Sequence, residues 1–567
     1  MNGWHREKGS VLLLSLATVL PCLLLARAVR AEAPAPRSVG FLGDGSGWFR
    51  DCAPPTEWSE NNNILWKTPL PNWSNSSPIA IGSRIFVTCE GGWQGVWPML
   101  LCLDAATGKV LWQRELDHLD QLPDGRGAKV REAWQEYRTF VRDALRRQYA
   151  CQYEGKADEA AAWWKEHRCQ GQIQAAKGNP GVMSAFGRAK NDPPFAAVEE
   201  TVKQAGLGIE DCYGWCTYIG RAFPTPVSDG RRVYAVTGFN AVFCFDMGGQ
   251  LVWKKWFGLP ETKDQGYKSV HAWFTHSPLL IGERLVTTVD HVARCFEAST
   301  GKPLWESRYL DLSDPVYRNP KHCHSVKYAA GSPRHLALEG TDVLIVSPGQ
   351  VVRLSDGKLL APNTKMASMC PCGSTHDGQS VTYCFTWENY KGHYPDSPVR
   401  KKDIQIADYG LAAVGLALEG ADAAKTKVVF SLPLKTGLAT GGLVYRDGLL
   451  FGSLEGQLKV WDARTGAEVK SVPTGVGKPH HIVAAGDYVY VLDKTGKCAV
   501  LKCDKTAQRV AVNTLSPAPH EGEKLEQRAC QSAAKDWGAY PFTASMPFFE
   551  GSRMYIRSHD FLYCIGK

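Results

Sequence analysis

Leu103-Asp104-Ala105-Ala106-Thr107-Gly108-Lys109-Val110-Leu111-Trp112 returns further along the chain as Phe296-Glu297-Ala298-Ser299-Thr300-Gly301-Lys302-Pro303-Leu304-Trp305. A third copy begins Val460-Trp461-Asp462-Ala463-Arg464-Thr465-Gly466. Weaker copies are Phe245-Asp246-Met247-Gly248-Gly249-Gln250-Leu251-Val252-Trp253 and Leu354-Ser355-Asp356-Gly357-Lys358-Leu359-Leu360. A unit of this size cannot bury its own apolar face, so its recurrence calls for an array of sheets that shield one another.

Working outward from the turn, each unit reads as four strands. Two follow an x-Pro or its equivalent and meet at a Gly turn. The other two meet at the Asp-Thr-Gly turn and end on an outer, Trp-bearing strand. Starts of this kind fall at Ser77-Pro78, Thr225-Pro226, Ser277-Pro278, Ser332-Pro333, Gly373, Leu443, His481 and Met546-Pro547. The last unit runs out at Phe561-Leu562-Tyr563-Cys564-Ile565 without an outer strand, while Asn63-Ile64-Leu65-Trp66-Lys67 is an outer strand with no unit of its own. Joining the two closes a ring and removes an exposed sheet edge. The expectation is an all-β, eight-bladed β-propeller of four-stranded antiparallel blades over residues 63–566; seven blades is the alternative, if the irregular fifth unit is misread.

The composition agrees. A hydrophobic fraction of 44% and a charged fraction of 22% belong to a globular chain, and 55 glycines with 19 tryptophans suit many tight turns and a packing aromatic per blade. Residues 1–33 read as an export signal: Arg6 and Lys8, then an apolar run from Val11 to Leu25, then the small-x-small site Ala31-Glu32-Ala33. The run is shorter than the ~20 residues that cross a bilayer, which disfavours an uncleaved anchor. Pro21 stands where a lipidated Cys22 would want a small residue. Cleavage leaves residues 34–62 as an N-terminal extension, no membrane span, and a periplasmic or extracellular protein. It also removes two more basic than acidic residues from a net charge of +8, and no long Lys/Arg block remains, so nucleic acid is excluded as a partner. Seventeen of the 18 cysteines stay, an odd number, so at least one has no partner within the chain.

Two stretches break the repeat. Residues 117–221 separate blades one and two. Ala128 to Lys165 is poor in β-branched residues, and Trp134, Tyr137, Phe140 and Leu145 recur at helical spacing; Ala157 to Trp164 suggests a second helix. This partly helical insert is either a lid or partner surface, or decoration over an edge. Cys212 and Cys216, where it returns, would suit a disulfide. The second break, 385–410, carries Trp387, Tyr390 and Tyr394 and reads as a long loop in blade five.

With Asp104, Thr107, Gly108, Lys109 and Trp112 in the pattern Ala-x-Asp-x-x-Thr-Gly-Lys-x-x-Trp, the repeat resembles the pyrroloquinoline-quinone-like propeller family, Cys102 standing in place of the first Ala. Two groups share that repeat: quinone-dependent alcohol and sugar dehydrogenases, and cofactor-free scaffolds that include the outer-membrane assembly factor of the β-barrel insertion machinery. The whole chain looks like large exported members from planctomycete-type bacteria. Within the family the repeated Asp, Thr, Gly and Trp are structural. The adjacent Cys-Cys of the alcohol-oxidising group and a Cys-x-x-Cys-His haem motif are both absent from the chain. That group's calcium ligands and catalytic Asp have no clear counterparts; Asp290 and Asp377 are carboxylates whose spacing is not diagnostic. Catalytic and cofactor-binding residues are therefore left unassigned.

Residues just ahead of each innermost strand ring one mouth of a propeller channel. Here they include His276, Cys372, His480 and His481, with Cys370, His376, His322 and His324 close by in sequence. As one cluster these would suit zinc or copper; otherwise the cysteines pair elsewhere and the histidines line the channel. The expected function is an exported binding or scaffold protein, with no cofactor, monomeric or within an envelope complex, taking a protein, small-molecule or carbohydrate ligand. The alternative is a periplasmic oxidoreductase using PQQ with calcium, or zinc or copper, at the channel mouth.

Overall fold

The computed structural model describes residues 38–91, 97–153, 157–166, 193–208, 221–258, 276–289, 292–308, 332–346, 349–362, 374–386, 409–434, 442–477, 479–493, 495–515 and 545–567. These residues form eight sheets, one per blade. Blade one has the inner strand Ile79–Ile81, then Arg84–Cys89, Met99–Asp104 and the outer strand Val110–Glu115. The later blades begin at the inner strands Val227–Ser228, Leu279–Ile281, Arg334–Leu338, Ser374–His376, Leu443–Arg446, Pro479–Ala485 and Phe548–Glu550. In blade eight the outer strand is Ile64–Pro69, which pairs antiparallel with Phe561–Ile565, Trp66 opposite Cys564. The ring is thus closed by the two ends of the repeat, as the sequence predicts.

The Asp-Thr-Gly turn is a docking device. Asp104 Oδ1 accepts the Thr107 N–H at 2.8 Å and its hydroxyl at 2.7 Å, and Asp462 does the same for Thr465 at 2.9 Å each. Hydrogen bonding to the ionised form holds both carboxyls below the usual carboxylate range. Each outer-strand Trp then reaches the next blade. Trp66 Nε1 donates to the Ala105 carbonyl at 3.1 Å, Trp112 to Met247 at 3.0 Å, Trp253 to Ala298 at 2.9 Å and Trp305 to Leu354 at 2.9 Å. The turn glycine sits flat on the arriving ring: a Cβ on Gly249 (φ +83°) would meet Trp112 at 2.7 Å, and one on Gly301 (φ +70°) would meet Trp253 at 2.6 Å. Between blades five and six Phe430 takes the indole's place under Gly466.

One strand inward, Cys102, Cys244, Cys295 and Cys564 stand directly opposite Trp112, Trp253, Trp305 and Trp66. They are free, buried thiols serving as small apolar residues, and burial pushes their pKa up to about 12, or about 11 for Cys295.

The insert leaves blade one at its outer strand, and its described residues form three α-helices: α1 (Arg126–Tyr153), α2 (Ala157–Glu166) and α3 (Pro193–Gln204). The first two answer the predicted helical stretches. The third was not predicted, although Pro193 and Pro194 at its start and Phe195, Val198 and Val202 at helical spacing spell one. Trp134, Tyr137, Val130, Val198 and Val202 are buried, and the Phe140 and Trp163 rings stack at 5.4 Å, so the helices share an apolar seam. Arg131 is paired to Glu115 and Asp117, and Lys254 of blade two to Asp120, which ties the start of the insert to both flanking blades. No helix among the described residues is long and apolar enough to cross a membrane. The Cys212/Cys216 pair, the aromatic loop residues Trp387, Tyr390 and Tyr394, and residues 1–33 lie outside the described residues.

Residues 38–58, for which the sequence suggested no role, cross the face that carries the tight Gly turns. Val39 exchanges backbone bonds with Ser228 of blade two at 2.8 and 2.9 Å, and the Ser38 hydroxyl donates to Leu280 of blade three at 2.7 Å. Further on, Trp48–Phe49 adds in parallel to the inner strand of blade seven, Trp48 beside Ala484 and Phe49 beside Ala485. The Ala53 N–H then donates to Gly551 of blade eight at 2.8 Å. Leu42, Phe49 and Trp58 are buried in the same apolar cluster as blades one, two, seven and eight. The strap therefore runs along the inner strands of blades two, three, seven and eight on this face.

Candidate functional site

The opposite face holds the channel mouth, where inner strands begin and blade-to-blade connectors return. In blades one to four and eight a proline after the first residue of the inner segment keeps that residue extended, and in blades one to four that residue is Ser or Thr. Its hydroxyl accepts a backbone N–H from the blade before: Met546 N–H to Ser77 at 2.8 Å, Ser77 to Thr225 at 3.0 Å, Thr225 to Ser277 at 3.0 Å and Ser277 to Ser332 at 3.2 Å. Arg334 continues the relay, its Nε 3.2 Å from the Ser374 hydroxyl of blade five. These hydroxyls are consumed in stitching blades eight to four together. The Ser/Thr-Pro repeat was the sequence signal for the relay.

Of the proposed metal ligands, three are described with their side chains, and they belong to three blades. His276 is buried at the mouth of blade three; its N–H donates to the Thr288 carbonyl at 3.3 Å and its Nδ1 is 2.8 Å from the Thr288 hydroxyl. His481 is buried at the mouth of blade seven, opposite Leu492 in the ladder. His376 closes the inner strand of blade five, at the strap end rather than the mouth. Burial and the nearby Arg334 guanidinium lower its pKa to about 4, so it is neutral at pH 7. His480 is described in its backbone only, and His322, His324, Cys370 and Cys372 lie outside the described residues. Among the described residues no group of three or more His, Cys, Asp and Glu is placed to hold a metal ion. His276 and His481 alone, in blades three and seven, do not make up a zinc or copper ligand set. Asp377 belongs to a turn: its Oδ1 accepts the N–H groups of Gln379 at 2.9 Å and Ser380 at 2.6 Å.

The most unusual group near the mouth is Glu90, which follows the second strand of blade one. It is completely buried. Its Oε1 accepts the Ala222 N–H at 2.6 Å, where the insert rejoins the propeller. The Ala222 carbonyl is held in turn by the hydroxyls of Ser74 (3.0 Å) and Thr88 (2.8 Å). Two buried arginines flank the carboxyl. Arg221 donates to the Gly238 carbonyl at 2.7 Å and lies 4.8 Å above the Phe239 ring; Arg557 of blade eight donates to Thr88 at 2.5 Å and Asn72 at 3.0 Å. Desolvation pushes the Glu90 pKa up to about 7, against the lowering pull of the backbone donors and both guanidinium groups. Glu90 thus joins blades eight, one and two to the end of the insert. No repeat position in the sequence announces it.

Residues 215–360, spanning blades two to four, match the family described as Outer membrane protein assembly factor BamB. No curated protein matches the chain. Among solved structures, BamB from Moraxella catarrhalis is similar at 14% identity and a TM-score of 0.33, over 60% of this chain and 81% of that one. A quinohemoprotein alcohol dehydrogenase from Comamonas testosteroni is similar at 10% identity and a TM-score of 0.42, over 95% and 81%. The computationally designed Ika8 protein is similar at 10% identity and 0.43, over 89% and 100%. The protein is an eight-bladed β-propeller, of which residues 215–360 match the BamB family.

Proposed function

We propose that this chain is an exported binding or scaffold propeller, periplasmic or extracellular, that holds a partner on the face bearing the insert and performs no chemistry of its own. The observation that carries this reading is the difference between the two faces. One is crossed by the strap and carries turns of a few residues. The other receives the connectors and a helical insert that is ion-paired to both flanking blades. The family match over blades two to four, to an assembly factor, supports it, and the likeness to exported planctomycete-type proteins belongs to the same proposal.

An oxidoreductase is the second reading, because His276 and His481 both occupy mouth positions and the remaining proposed ligands, His322, His324, Cys370, Cys372 and His480, would have to join them. The test is metal content and ultraviolet–visible absorption of the mature protein, before and after calcium and quinone are added. A protein with neither metal nor retained quinone supports the scaffold. A stoichiometric metal, or a quinone band that survives gel filtration, would replace the scaffold with the oxidoreductase.

A further inference from the structure

The strap has the features of a bound peptide. Its strand adds to the inner edge of blade seven, facing the axis: the Ala484 N–H donates to the Gly47 carbonyl and the Gly486 N–H to the Phe49 carbonyl, both at 2.9 Å. Main-chain pairing of this kind, with pockets for alternate side chains, is the pattern of peptide recognition by strand addition. Phe49 enters an aromatic pocket, edge-on to Phe548 at 5.0 Å and tilted to Phe549 at 5.2 Å. Trp48 points to the other side of the strand, between the guanidinium groups of Arg50 at 4.4 Å and Arg446 of blade six at 5.0 Å, and its Nε1 donates to the Gly486 carbonyl at 3.2 Å. Upstream, Arg334 of blade four donates to the Gly45 carbonyl at 2.8 Å.

The receiving surface is shaped for a chain lying against it. A Cβ on Gly486 would come within 2.3 Å of the Cys52 carbonyl oxygen. Leu42, buried, takes a left-handed conformation (φ 59°) that favours glycine, so its surroundings hold the strap's turn in place. The strap's partners, Ser228, Leu280, Arg334, Arg446, Ala484 and Gly551, come from six different blades, so no blade alone makes the site.

We propose that the face opposite the insert is a peptide-binding site formed by the inner edge of blade seven, the Phe548/Phe549 pocket and the Arg446 clamp, and that residues 38–58 are its intramolecular ligand. The ligand class is an extended peptide presenting an adjacent Trp-Phe pair after glycine. The site forms only when blades two to eight stand in a ring, so the strap docks after the ring closes and then locks it.

The test uses the full chain with a protease site placed in the exposed turn at Glu60–Asn62. After cutting, the strap is expected to stay with the propeller through gel filtration. Excess synthetic peptide of residues 38–58 should exchange with it, and a chain carrying Phe49→Ala should release its cut strap at least tenfold faster. An Arg446→Met chain should also release faster, while leaving the strap itself unaltered. Immediate loss of the cut strap would overturn the proposal. So would unfolding on cleavage, which would make the segment part of the fold rather than a ligand, and so would failure of the peptide to exchange.

Discussion

Replacing Glu90 by Gln is expected to make the protein more stable at neutral and alkaline pH, and to change it little in acid. The carboxyl is wholly buried, with a folded pKa of about 7 against an ordinary value of 4.5. A pKa raised by folding means that the native state binds the proton more tightly than the unfolded chain. The stability this group lends is whole below pH 4.5 and is lost as pH rises to 7. The full loss is about 3 kcal/mol, most of which falls between pH 5 and pH 8. Groups common to both proteins, such as His376, contribute equally to each, so the change with pH in the difference between them belongs to Glu90. Gln keeps the oxygen that accepts the Ala222 N–H and cannot ionise. Denaturant unfolding of both proteins at pH 5, 6, 7 and 8 should show the variant gaining steadily, to about 2–3 kcal/mol at pH 8 relative to pH 5. A constant difference would refute the reasoning. A wild type that gains on the variant as pH rises would show that the arginines outweigh desolvation and that Glu90 is half of a buried ion pair.

Other expectations follow from the docking devices. Cys102, Cys244, Cys295 and Cys564 should resist a thiol reagent at pH 8 in the native protein and react fully after denaturation, as mass spectrometry of the labelled peptides would show. Trp253→Ala removes the buried ring under Gly301 and its bond to Ala298, and should cost about 3 kcal/mol in denaturant titrations. Ser277→Ala strands the buried Thr225 N–H and should cost about 1–2 kcal/mol, with faster hydrogen exchange at the start of blade two rather than throughout.

How much of this was legible in the sequence depends on whether a feature repeats. The ring closure was legible because Trp66 carries the blade signature without a blade and Ile565 ends a blade without its Trp. The first two helices were legible because Trp134, Tyr137 and Phe140 follow the helical period. The strap was not: Gly45, Gly47, Trp48 and Phe49 form no periodic pattern, and their partners Ala484 and Phe548 lie more than 400 residues away, where only tertiary structure connects them. Glu90 was hidden for the same reason, since the residue after the second strand is Gly238 in blade two and Asp290 in blade three, with no shared type. The mouth histidines were found by position, but position identifies the blade to which a side chain belongs and not its neighbours: His276 meets Thr288, and His376 lies at the other end of its blade.

The central claim, that the insert face is the working face and the strap face is not, is tested most directly by photo-crosslinking in the exporting cell. One probe replaces exposed Glu136 on α1, the other exposed Glu283 in the turn of blade three on the strap side. The account predicts a discrete adduct from Glu136 and none from Glu283. Adducts from Glu283 with none from Glu136 would place the partner on the wrong face and contradict it.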